Sequence, residues 1–114
     1  MNKRRTLTQN KALHKYFELL ARAMDEQGIT ITEFVKALDR FGIELFPTKE
    51  TVKENVWKVV QERQTGKKST TELTTDEVKK VYEPINKFFS ENWGIHVPFP
   101  SYEEQSTQSL LQNN

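Results

Sequence analysis

The residues best suited to chemistry stand at the N-terminus. Arg5-Thr6-Leu7-Thr8-Gln9-Asn10-Lys11 sets cations and amides around an expected helix start. Arg4 precedes the run, and Lys15 follows Lys11 by one turn. A helix N-terminus carries partial positive charge and free N–H donors, which suits a phosphate. Arg4, Arg5, Lys11 and Lys15 are therefore candidates to neutralise a nucleic-acid backbone. With Leu13 as reference and about 100° per residue, Gln9 and Asn10 fall at the edges of the apolar stripe. The plainer alternative is a solvated basic terminus whose amides bond a neighbouring segment.

A second candidate is Gln64-Thr65-Gly66-Lys67-Lys68-Ser69-Thr70-Thr71. It is not a P-loop. The first glycine of that pattern would stand where Gln61 is, its Ser or Thr where Lys68 is, and no buried strand precedes it. A polar loop touching a phosphate backbone remains open, with Lys67, Lys68, Ser69 and Thr70 as donors. The competing reading is an exposed interhelical loop. Trp57 lies off the apolar stripe of its helix, so it could stack on an exposed base. It could equally fill a subunit interface or widen the core face of the helix.

Nothing converges as catalytic groups must. The two histidines, His14 and His96, have no H-x-x-x-H or H-x-x-E spacing and no evident Ser or Asp partner. The acid pairs Asp25-Glu26, Asp76-Glu77 and Glu103-Glu104 are sequence neighbours, which point about 100° apart on a helix. With no cysteine there is neither a thiol nucleophile nor a thiolate metal site. The expectation is a non-catalytic protein without a cofactor or metal.

The elements that position these residues read as helices. The first starts after Thr8 as N-cap, carries Leu13, Tyr16, Phe17, Leu20, Ala21 and Met24 on one face, and stops at Gly28. Lys11, Lys15 and Arg22, with Glu18 among them, lie opposite. A short second helix is capped by Thr32 and turns Phe34, Val35 and Leu38 inward. Phe41, Ile43, Leu45 and Phe46 follow as a packed connection. The third helix begins after Pro47-Thr48, has the stripe Val52, Val56, Val59, Val60, and ends near Gly66. Thr74 and Glu77 form a capping box for the fourth, whose face is Val78, Val81, Tyr82, Ile85, Phe88, Phe89 and Trp93. Pro84 should kink it near Lys80. Ile95-His96-Val97-Pro98-Phe99-Pro100 must be extended, because each residue before a proline avoids the helical region.

The chain of 114 residues suits one domain. The expected fold is all-α: a compact bundle of about four helices over 1–102, an extended Pro-rich C-terminal segment, and a disordered polar tail over 103–114. No apolar run approaches a membrane span, and no signal peptide is visible. The net charge of +1 hides a segregation. Residues 1–24 hold Lys3, Arg4, Arg5, Lys11, Lys15 and Arg22 against Glu18 alone. Residues 58–68 are basic again, while 25–57 and 69–114 are acidic. Screening acts over about 8–10 Å, so a neutral protein can still present a positive face.

Arg5-Thr6-Leu7-Thr8-Gln9-Asn10-Lys11-Ala12-Leu13 resembles the arginine, small hydroxyl, leucine, x, Gln, Asn, basic, x, Leu signature of the phage NinB (Orf) family. The whole chain, ending in Gly94-Ile95-His96-Val97-Pro98-Phe99-Pro100-Ser101, also looks like a group of small phage proteins. The resemblance implies a recombination mediator that binds DNA, prefers single strands, acts beside a single-strand-binding protein and forms homodimers. Arg5, Gln9, Asn10 and Lys11 carry over as motif residues. The chain starts almost at the motif, so the resemblance implies a form without the N-terminal strands of longer members. It also implies the cytoplasm of an infected bacterial host.

The leading expectation is a phage-type DNA-binding accessory protein in recombination or replication, binding single-stranded DNA. Arg4, Arg5, Gln9, Asn10, Lys11, Lys15, Trp57, Lys67 and Lys68 would form its interface. The alternative is a small protein-binding module, such as a phage inhibitor of a host or defence protein. There the apolar surface and the acidic half would bind the partner.

Overall fold

The computed structural model describes residues 7–35 and 40–100. Among them the chain is all-α, with no strand. Helix α1 (Leu7–Glu26) is followed by the short α2 (Ile31–Phe34). One continuous helix then runs over 49–65: α3 (Lys49–Val52), a π-helical turn (Lys53–Trp57) and α4 (Lys58–Thr65). A single 3₁₀ turn (Thr70–Glu72) leads to α5 (Thr75–Trp93). The expected tail over 103–114 lies outside the described residues, as does Leu38.

The apolar stripe of α1 becomes the centre of the core. Leu13, Tyr16, Phe17, Leu20, Ala21 and Met24 are all buried. Helix α1 begins at Leu7, so Thr8 sits within its first turn rather than capping it. Its other end closes as expected. Gly28 is left-handed (φ 71°), its N–H bonds the Asp25 carbonyl (3.0 Å), and the Ile29 N–H reaches the Met24 carbonyl (2.9 Å). This pair of bonds satisfies two orphan carbonyls and turns Ile29 into the core beside Met24.

Helix α2 is capped by Thr30, not Thr32. The Glu33 carboxylate accepts the Thr30 N–H at 3.2 Å. Thr32 is needed elsewhere: its hydroxyl donates to the Ile43 carbonyl (2.9 Å) and accepts the Leu45 N–H (2.9 Å). The Ile31 N–H adds a bond to the Leu45 carbonyl at 2.8 Å. One side of the 43–45 backbone is thereby satisfied without a partner strand. The packed connection expected here is only partly packed. Leu45 joins the core, but Phe41 (77%), Phe46 (62%) and Ile43 (46%) are exposed.

The π turn revises the third helix. A π turn holds more residues than an α turn and so shifts the phase of everything after it. Val52, Val56, Trp57 and Gln61 face the core, and Val59 is turned out. Of the stripe expected from regular α spacing, Val52 and Val56 are buried and Val60 packs against the core, and Val59 is the member that turns out. Thr48 caps the N-terminus by accepting the Thr51 N–H (3.1 Å), and the left-handed Gly66 ends the helix.

Helix α5 starts at the expected capping box: Glu77 accepts the Thr74 N–H (2.9 Å) and Thr74 accepts the Glu77 N–H (3.3 Å). It continues through Pro84 without a break. Proline has no N–H to bond the Lys80 carbonyl, and the Gln64 amide takes that carbonyl at 3.4 Å. Val78, Val81, Ile85 and Phe89 are buried, whereas Phe88 is at the surface against Phe34 and Trp93. The Pro-rich segment crosses α5 as an extended strap. Ser90 donates to the Ile95 carbonyl (3.0 Å), Tyr82 to the Val97 carbonyl (2.8 Å), and the Val97 N–H to Asn86 (3.4 Å). Alternation buries Ile95 and Val97 and lays Phe99 on Tyr16 and Tyr82. Burial, and then the nearby Tyr82, push the Tyr16 phenol above its ordinary range.

Candidate nucleic-acid interface

The outer face of α1 carries Lys11, Lys15, Glu18 and Arg22, all exposed. Their spacings of four, three and four residues make one stripe. At about 1.5 Å per residue it runs roughly 16 Å, long enough to follow several phosphates of one strand. Lys15 and Glu18 form an exposed ion pair at 3.0 Å. The hydrogen bond from Lys15 holds the Glu18 carboxyl below its ordinary range. A phosphate reaching Lys15 would have to displace Glu18, which costs little because solvent screens so exposed a pair. Arg22 lies outside the N-terminal motif. The helical spacing from Lys11 is the signal that adds it to the interface.

Two expected members do not belong to this surface. Trp57 has no exposed surface. Its ring meets Tyr16 (5.8 Å between centroids) and Phe17 (5.4 Å), and its indole N–H donates to buried Gln61 at 2.9 Å. It cannot stack on a base, and the physical reason is the π turn that rotates it inward. Lys67 is tied down at both ends. Its ammonium reaches Glu77 (2.7 Å) and the Glu72 carbonyl (3.1 Å). Its own carbonyl accepts from Gln61 (2.9 Å), and its N–H donates to Thr65 (3.0 Å). Lys67 and then the Thr74 N–H hold the Glu77 carboxyl below its ordinary range. Lys67 is therefore a fastener between α4 and α5. Ser69 and Thr70 are not free phosphate donors either: Ser69 caps the 3₁₀ turn and Thr70 is buried.

Lys11 and Lys68 are exposed, and neither makes an ion pair among the described residues. Asn10 is half-buried at the edge of the α1 stripe. Arg4, Arg5 and the Gln9 side chain lie outside the described residues. The 49–65 helix and α5 are antiparallel, with Gln64 at Lys80 and Lys67 at Glu77. Helix α1 packs against the first turn of the 49–65 helix: Glu18 lies in the field of Lys49, while Tyr16 and Phe17 meet Trp57. Tyr16 also meets Tyr82 of α5 (5.3 Å between centroids).

Among the described residues no group of three or more His, Cys, Asp or Glu side chains is arranged to hold a metal, and no helix is long and apolar enough to cross a membrane. The chain matches no family model, no curated protein and no solved structure.

Proposed function

We propose that this chain is a non-catalytic, phage-type accessory protein of DNA recombination or replication that binds single-stranded DNA along α1. The observation that carries this reading is the exposed stripe Lys11, Lys15 and Arg22 on one face of α1. The resemblance of the Arg5–Leu13 run to the NinB signature supports the phage assignment and the preference for single strands. In this reading Lys11, Lys15, Arg22, Lys68, Arg4 and Arg5 neutralise phosphates, and Gln9 and Asn10 add amide bonds. Affinity comes from counterion release and carries little sequence preference, since no buried base pocket takes part. The working place is the cytoplasm of an infected bacterial host, and a homodimer would double the stripe.

The test is anisotropy with a fluorescent oligothymidylate at low salt. Reversing Lys11, Lys15 and Arg22 to Glu should weaken binding by at least about a hundredfold, since every phosphate left without its cation keeps its condensed counterions. These residues are exposed, so the fold should survive, as circular dichroism would check. Unchanged affinity in the folded triple variant would end the proposal.

A further inference from the structure

The groove beside α2 and the 40–46 connection bring exposed apolar side chains together with acids. Gly28, Thr30, Thr32, Glu33, Gly42, Ile43 and Glu44 line an open groove of about 470 Å³. Phe41 and Phe46, the two most exposed large apolar side chains of the described residues, belong to the same connection. Two carboxylates, Glu33 and Glu44, open into the groove, and no described cation pairs with either.

The backbone of this connection is used on one side only. The Ile43 carbonyl and both polar groups of Leu45 are bonded to Ile31 and Thr32. The Glu44 N–H and carbonyl and the Phe46 N–H take no bond among the described residues. In an extended segment the polar groups of alternate residues point to opposite sides. Thr32 thus stands in for a neighbouring strand on the inner side and leaves the outer side as an open edge. Such an edge is a template for an added strand.

We infer that the 43–46 edge is a docking site for an extended peptide segment of alternating apolar and basic side chains, supplied by a protein partner. The peptide backbone bonds Glu44 and Phe46. Its apolar side chains cover Phe41 and Ile43 on one face of the edge, and its cations meet Glu44 on the other. Charge selects this occupant: an acidic segment would face Glu33 and Glu44 in the groove, and the cation of the same connection, Arg40, does not line it. The inference does not depend on DNA binding by α1.

Three labelled peptides test it against the full chain: alternating Val–Lys, alternating Val–Glu, and Val–Lys with the alternate amides N-methylated. The Val–Lys peptide should bind saturably and the Val–Glu peptide should not. N-methylation should weaken binding by about tenfold or more, since it removes the backbone donors. Glu44→Lys should abolish Val–Lys binding and permit Val–Glu. Equal binding of the two charge types, no saturable binding, or indifference to N-methylation would overturn the inference. So would sedimentation as a dimer that becomes monomeric on joint Phe41→Ser and Ile43→Ser substitution, because the face would then belong to a second copy. Oligothymidylate affinity, read in parallel, should be unchanged by Glu44→Lys to within the effect of one charge outside the α1 stripe.

Discussion

Trp57 and Phe41 are both large aromatic residues in segments with mixed charge, and they end at opposite extremes. Trp57 is wholly enclosed, whereas Phe41 is 77% exposed. The difference lies in how each region is held. Around Trp57 the side chains carry the structure: Tyr16 and Phe17 pack its faces, and Gln61 satisfies its indole N–H and then reaches across to the Lys67 carbonyl. Around Phe41 the connection is fixed by its backbone, through Ile31 and Thr32, and its large side chains are free to face outward. A region built on side-chain packing cannot spare an aromatic for binding. A region built on backbone bonds can.

That contrast can be broken in graded steps. Trp57→Ala should cost about 3–5 kcal/mol, the range for emptying a buried aromatic site, and chemical denaturation would read it. A loss below about 1 kcal/mol would mean that the ring is not the centre of the core. Gln61→Ala should cost about 1–3 kcal/mol, since it strands the buried indole N–H and frees the Lys67 carbonyl. Glu77→Gln should cost about 1 kcal/mol at neutral pH by cutting the Lys67 bridge and weakening the capping box. The folded carboxyl sits below its ordinary value, so its contribution is full above the ordinary carboxylate pKa and disappears as pH falls through the lowered folded value. The difference between wild type and Glu77→Gln should therefore shrink on acidification, and a difference that grew would contradict the bridge. Phe41→Ser should change stability by no more than about 0.5 kcal/mol despite the size of the side chain.

Much of the fold is legible in local pattern. The α1 stripe, the Gly28 stop, the Thr74–Glu77 box and the strap that follows Gly94 each depend on residues within a few positions of one another. The misreadings share a different cause. Thr32 looks like a cap because its partners, Ile43 and Leu45, are distant in sequence, and Thr30 takes the local role instead. Val59 looks like core and Trp57 stands off the stripe because regular helical spacing cannot register the extra residue of a π turn. Lys67 looks like a free cation because its partner Glu77 belongs to the next helix. Of the residues proposed to meet DNA, Lys11, Lys15 and Lys68 are legible as exposed cations, and short-range helical spacing adds Arg22 to the same face of α1.

The central claim is that α1 meets DNA through its cations, and salt tests it most directly. The logarithm of the affinity for oligothymidylate should fall linearly with the logarithm of salt concentration. Phosphate neutralisation by Lys11, Lys15, Arg22 and Lys68 predicts a slope of about −3, and Arg4 and Arg5 would steepen it to about −4. An affinity that stays flat across the same salt range would contradict the account.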